Sequence, residues 1–165
     1  MANGFHILPV STDEDLAATA ELFTRYAASL PVDLGYQDFA SELEALPGKY
    51  APPGGALLLA RDAGRTPIGC VGLRPIPPQG ACEMKRLFLL PGARGLGLGR
   101  ALTEAIVEAA KRLGYHELRL DTLPTMQAAI GLYERMGFKR IEPYYAPTPV
   151  GTIFMSLGLS GRGGS

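Results

Sequence analysis

The chain has 165 residues, 47% of them hydrophobic, and its 16 basic and 16 acidic side chains cancel. That length suits one domain with one substantial core, and a net charge of zero leaves no global field to attract nucleic acid or an anionic membrane surface. No apolar run reaches the ~20 residues that span a bilayer, and residues 1–4 lack the basic region and apolar core of a secretion signal, so the cytoplasm is the expected compartment.

Phe5–Val10 predicts a first strand. Ser11 follows, with Glu14 three residues on as a capping box, and Leu16, Ala20, Phe23 and Ala27 give the ensuing helix an apolar stripe. A shorter helix is predicted over Tyr36–Leu46, with Phe39, Leu43 and Leu46 inward, ended by Pro47, Pro52 and Pro53. Ala56–Arg61 and Pro67–Arg74 read as strands joined by the turn Asp62–Arg65, and Ala81–Leu90 as a third. Cys70 and Cys82 fall inside these strands, with neither a disulfide framework nor metal spacing, and read as buried thiols.

Leu98, Ala101, Leu102, Ala105, Ile106, Ala109 and Leu113 recur at helical spacing, with Lys111 and Arg112 in the last turn and Gly114 as the residue after the cap. His116–Leu120 predicts a buried strand. Pro124 predicts the start of another helix, with Ala129, Leu132, Tyr133 and Met136 on one face and Gly137 closing it. Phe138–Ile141 and Thr152–Leu157 complete the strands. The order β-α-α-β-β-β-α-β-α-β-β is an α/β plan on a mixed sheet, with residues 1–159 as a single domain and 160–165 as a flexible tail. The two histidines, His6 and His116, lie far apart with no spacing that suggests a triad or metal site, and no metal is expected.

The segment Arg94-Gly95-Leu96-Gly97-Leu98-Gly99-Arg100 carries the most chemistry. It runs directly into the helix that begins near Leu98, whose first N–H groups have no partner within the helix and sit at the positive end of its dipole. A polyanion docks readily there. A Walker loop is excluded, because Gly99 is followed by Arg100 and Ala101 and no hydroxyl is available for Mg²⁺. The dinucleotide fingerprint fails as well: the sixth position is Arg100 counted from Gly95, and Leu102 counted from Gly97.

Arg94, Gly97 and Gly99 match Arg-x-x-Gly-x-Gly, which resembles the acyl-CoA loop of the GNAT superfamily of N-acyltransferases. Two further segments support the resemblance: Cys82–Leu89, similar to that family's fourth strand, and Ala129–Phe138, similar to its late A-x-x-L-Y-x-x-x-G-F signature. The resemblance covers nearly the whole chain. It implies a mixed, mostly antiparallel central sheet of about six to seven strands flanked by four helices, and acetyl-CoA as cofactor. It implies that the backbone of Leu87, Phe88 and Leu89 pairs with the pantetheine arm and that an N–H there serves the oxyanion. Gly95, Leu96, Gly97, Leu98, Gly99 and Arg100 would offer amides to the pyrophosphate, with Arg94 and Arg100 adding phosphate or ribose contacts. Where the family often has an asparagine, this chain has Met126 beside Gln127.

Acetyl transfer to an amine needs a neutral nitrogen, and a lysine-like amine with pKa ~10.4 pays roughly 4–5 kcal/mol to be neutral at pH 7. By resemblance Glu83 is the candidate base, against an alternative in which it is ion-paired with Lys85 or Arg86; Tyr133 is the candidate acid for the departing thiolate. The acceptor pocket is expected from the first two helices, the loop through Tyr50 and the segment Pro143–Pro147. Asp33, Glu42 and Glu44 could attract a cationic amine there, and Arg74 or Arg119 could hold an anionic one. The implied reaction is direct transfer from acetyl-CoA to a primary amine of a small molecule or peptide. The alternative is a non-catalytic acyl-CoA sensor. Dimers are common in the family, so a homodimer is compatible with the resemblance.

Overall fold

The computed structural model describes residues 4–31, 33–34 and 38–159. Seven strands form one sheet: β1 (Phe5–Pro9), β2 (Ala56–Asp62), β3 (Pro67–Ile76), β4 (Ala81–Leu89), β5 (Glu117–Thr122), β6 (Lys139–Ile141) and β7 (Ile153–Gly158), in spatial order β1-β2-β3-β4-β5-β7-β6. Every neighbouring pair is antiparallel except β4 with β5. That one parallel step needs a crossover, and α3 (Leu98–Arg112) supplies it. Four helices in all, α1 (Asp13–Ser29), α2 (Phe39–Ala45), α3 and α4 (Gln127–Arg135), stand on the described chain, in the order the sequence predicts.

Each sheet face buries its own core. On one, α3 sets Leu98, Leu102 and Ile106, all fully buried, against Val71, Leu73, Leu118 and Leu120. A buried Leu or Ile contributes about 1.5–3 kcal/mol, so this helix is firmly seated. On the other face Leu22 and Phe23 of α1 pack with Tyr50, Leu57, Leu59, Cys70 and Phe88, and Phe39, Leu43 and Leu46 close over them as expected. Cys70 and Cys82 are both buried free thiols.

Several boundaries differ from expectation. The capping box sits one residue later than Ser11/Glu14: Thr12 accepts the Asp15 N–H at 3.0 Å, and the Asp15 carboxylate reaches back to the Ser11 N–H at 3.0 Å. Thr12 is the residue with extended backbone there, and so the one whose side chain can turn onto the helix. The buried face of α1 is Thr19, Leu22 and Phe23, with Ala20 and Ala27 only half-buried; Thr19 is tolerated inside because its hydroxyl donates to the Asp15 carbonyl at 2.8 Å. Leu113 is 41% exposed because it caps α3 as the chain turns into Gly114, while Val107 and Ala110 take the inward positions. Helix α4 starts at Gln127 rather than at Pro124, after a turn in which the Met126 N–H bonds to the Leu123 carbonyl. The predicted start of α2 at Tyr36 and the tail at 160–165 lie outside the described residues. Strand β5 starts at Glu117 rather than His116 and runs on to Thr122, which brings Asp121 into the sheet.

Candidate active site

The ladder between β4 and β5 covers only Ala81–Glu83 against Glu117–Arg119. Beyond it β4 carries a bulge. Against β3, Cys70 faces Phe88 while Gly72 faces Lys85, so one extra residue is accommodated on β4, and Arg86 there has φ +63°. An inserted residue bends its strand and increases its twist, which turns β4 away from β5 and leaves Leu87–Leu89 without a β5 strand partner. The cleft so opened is lined by Met84–Leu87 of β4 and Leu120–Thr122 of β5. Tyr26 of α1 closes one side, and Met126, Ala129 and Tyr133 the other.

A left-handed arginine costs about 1–2 kcal/mol, and its partners offset that. Arg86 donates through Nε and Nη2 to both oxygens of Glu42 on α2, at 3.0 and 2.9 Å, and its guanidinium lies 5.0 Å from the Phe39 ring. Glu42 also accepts from the Tyr50 hydroxyl at 2.9 Å. Burial opposes charge on Glu42, but the Arg86 hydrogen bonds and charge outweigh it and hold the carboxyl below its ordinary range. The bulge is thereby fastened to the helix that covers it.

The glycine segment follows a short 3₁₀ turn at Pro91–Ala93. Gly97 is the cap residue of α3 with φ +78° and Gly95 has φ +87°; a Cβ on either would meet nothing within 4 Å. The first intrahelical bond runs from the Ala101 N–H to the Gly97 carbonyl, and no side chain caps the helix. The amides of Leu98, Gly99 and Arg100 therefore have no acceptor within the helix and no side-chain cap, at the positive end of a 15-residue helix. Arg94, Leu96 and Arg100 are exposed beside them, Arg100 paired to Glu104 at 2.9 Å. Open amides, left-handed glycines and flanking cations fit a pyrophosphate.

Tyr133 sits on α4 with its ring 5.6 Å from Phe138 and only 4% exposed. Its hydroxyl makes no hydrogen bond among the described residues, and it lines the cleft. Burial, and then the Tyr26 and Asp121 charges, push its pKa above the ordinary phenol value, so the proton stays on oxygen at neutral pH. Glu83 is placed differently from the expectation. Its Oε1 accepts from Arg74 Nε at 2.9 Å, its Oε2 accepts from the Tyr144 hydroxyl at 2.5 Å, and it is 1% exposed. It is absent from the cleft that holds Tyr133 and instead floors an adjoining one, with Asp38, Lys49, Arg74, Ile76, Pro77, Tyr144 and Tyr145. Its ion-pair partner is neither of the two expected cations: Lys85 faces Asp121 at 3.7 Å and Arg86 faces Glu42.

That adjoining cleft takes in part of the expected acceptor pocket, the Lys49 turn and the Tyr144–Tyr145 segment, but no residue of α1 and not Tyr50. Arg74 lines it. Arg119 does not act as a free anion holder, because both its Nε and Nη2 bond to Glu117 and its guanidinium stacks 5.2 Å from Tyr144. Glu42 is spent on Arg86 and Tyr50, Glu44 is exposed, and Asp33 is exposed between α1 and α2. At the late helix Met126 lines the Tyr133 cleft, while Gln127 uses its amide to donate to the Pro124 carbonyl at 2.9 Å. His6 is on the exposed edge strand, and His116 packs its ring against Gly80.

Sequence reasoning did not place Asp121 in the cleft that it lines. The signal was available: Leu118 and Leu120 alternate with Glu117, Arg119 and Asp121. A strand flanked on both sides that keeps one face polar has to be lining a cleft or a buried ion-pair network.

A profile of the acetyltransferase (GNAT) family matches residues 16–138. An N-acetyltransferase of Schizosaccharomyces pombe, itself uncharacterized, is 40% identical over 154 residues, covering 93% of this chain and 94% of that protein. An acetyltransferase of the GNAT family from Staphylococcus aureus superposes with a TM-score of 0.75 at 20% identity, over 94% of this chain and 99% of the other. A Salmonella typhimurium protein solved with its cofactor acetyl-CoA superposes with a TM-score of 0.69 at 20% identity, over 98% and 97% of the two chains. At that identity the two structures speak for the fold alone.

Proposed function

This chain belongs to the acetyltransferase (GNAT) family, and we propose that it moves an acetyl group from acetyl-CoA directly to a primary amine of a small molecule or peptide, both substrates being bound together, with residues 1–159 as its one catalytic domain. The observation that carries this reading is the position of Tyr133: a phenol that keeps its proton, without a hydrogen-bond partner among the described residues, faces the gap between β4 and β5. Bound acetyl-CoA supplies an acyl thioester. The free backbone edge of Leu87–Leu89 holds the pantetheine arm and aims an N–H at the carbonyl oxygen. The amides from Gly95 to Arg100, with Arg94, hold the pyrophosphate; hydrogen bonds to charged groups are each worth roughly 1.5–3 kcal/mol. Tyr133 holds a proton at its hydroxyl for the departing sulfur.

A second reading, a CoA-binding sensor without turnover, would use the same glycine loop but has no need of a buried, protonated phenol in the cleft. Thiol release from acetyl-CoA across a panel of amines, amino acids and peptides separates the two. Turnover of a panel member above background hydrolysis supports the transferase. A melting temperature raised by acetyl-CoA with no acceptor above background supports the sensor.

A further inference from the structure

Glu83 lies outside the Tyr133 cleft and lines the adjoining one, so the proton of the attacking nitrogen needs a taker in the Tyr133 cleft itself. Among the described residues lining that cleft, Asp121 carries the one carboxylate. It stands on β5 beyond the point where the parallel ladder ends, directly across the gap from the β4 bulge. Its side chain is 10% exposed and is held from two sides: Lys85 Nζ lies 3.7 Å from Oδ1, and the Tyr145 hydroxyl donates to Oδ2. A carboxylate has about four lone-pair sites, so these two contacts leave room for a further donor. The other cation on this wall, Arg86, has its fork filled by Glu42 and does not compete.

We propose that Asp121, not Glu83, is the catalytic carboxylate that receives the acceptor's amine and takes its proton, with Lys85 and Tyr145 as positioning residues that fix its orientation. The proposal rests on the transferase reading above. As the bond between nitrogen and acyl carbon forms and the carbon–sulfur bond breaks, Asp121 takes the proton the nitrogen sheds and Tyr133 gives its own to the sulfur. The Asp121 proton then returns to the phenolate, directly or through a water, so both residues end as they began and no co-reactant is consumed. Burial lowers the basicity of Lys85, and Asp121 opposes that shift, as a counter-charge that belongs to the site should. Tyr144 and Glu83 form a parallel pair one strand over, where they support the same tyrosine segment from beneath.

The test uses the full chain with glycinamide and phenylethylamine as probe amines. Asp121→Asn is expected to lower kcat by at least ~100-fold, to weaken calorimetric binding of the probe amines to the CoA-loaded protein at least ~10-fold, and to leave acetyl-CoA affinity within about threefold. Glu83→Gln keeps one oxygen to accept from Arg74 and turns the Tyr144 contact round, its amide donating to the phenol oxygen; its loss of kcat is expected to be at least about tenfold smaller than that of Asp121→Asn. Asp121→Ala guards against a merely structural loss: added formate is expected to restore part of its turnover, which no packing role would allow. The proposal is overturned if Asp121→Asn retains kcat and amine binding within about threefold, or if formate fails to rescue a folded Asp121→Ala protein. Wild-type protein that binds acetyl-CoA yet turns over no amine in the panel overturns the transferase reading and this assignment with it, an outcome recognisable before any variant is made.

Discussion

Tyr133→Phe removes a single oxygen from the middle of the proposed mechanism, and the surroundings say what that should cost. The hydroxyl has no hydrogen-bond partner among the described residues, so its loss strands no donor or acceptor, and the ring contact with Phe138 at 5.6 Å survives. Stability should therefore change by less than about 0.5 kcal/mol; at roughly 2–4 °C per kcal/mol for a chain of this size, the melting temperature should move by no more than about 2 °C. Turnover should respond very differently. A positioned general acid contributes about 10²–10⁴-fold, or roughly 2.7–5.4 kcal/mol of barrier. The assay is thiol release at saturating acetyl-CoA, paired with calorimetric binding of CoA, which should be unchanged within about threefold. Because burial pushes the phenol above its ordinary value, the wild-type rate should also show no alkaline fall from this residue between pH 6 and 9. A variant that keeps kcat within about threefold, or that loses CoA affinity in step with kcat, refutes the reasoning and makes Tyr133 a packing residue.

Glu42→Ala should cost about 3–5 kcal/mol, because it removes the bidentate carboxylate from the buried Arg86 guanidinium; urea midpoints measure this, and a loss under about 1 kcal/mol would contradict it. The same pair sets an acid limb. Glu42 has a depressed folded pKa, so its contribution is complete above its ordinary value of 4.5 and is lost as the pH falls through the folded value; Glu42→Gln should flatten stability against pH in that window. Gly97→Asp forces a side chain and a negative charge onto a left-handed cap at the anion site, and should abolish the stabilisation by acetyl-CoA, about 2.7 kcal/mol at 100 times the wild-type Kd. Cys82, pushed up to about 12 by burial and then by Glu117 and Glu83, and Cys70, raised further by burial alone, should resist thiol reagents at pH 8 in the native state and react fully in denaturant. Stoichiometric labelling of the native protein within minutes would contradict both.

The element order and the glycine loop were legible because they depend on local chemistry: helical periodicity in α3, glycines where the backbone turns left-handed, and free amides at a helix start. The placement of Tyr133 on a helix beside the cleft was legible through its surrounding signature. Glu83 was legible as a residue but not as an environment, since its partners Arg74 and Tyr144 come from a neighbouring strand and from a loop 61 residues away. The same limit hid Asp121. Its partners, Lys85 on β4 and the Tyr145 hydroxyl from the late loop, meet only because β5 enters the sheet parallel to β4 and beside β7. The helix faces were read within a residue or two, with Thr19 and Leu22 of α1 missed because a hydroxyl bonded to its own helix hides the inward turn. The other errors fell at ends and caps, where a single hydrogen bond decides which residue begins a helix.

The fork between Arg86 and Glu42 has a wider consequence. It ties α2 to the kink in the central strand, so the helix beside the cleft proposed for the acceptor is bolted to the strand proposed to orient the thioester carbonyl. Remodelling this protein for a new amine by rebuilding that region must therefore preserve one carboxylate at position 42. Otherwise, on the proposed mechanism, the change in specificity is transmitted straight to the reaction centre as a loss of rate.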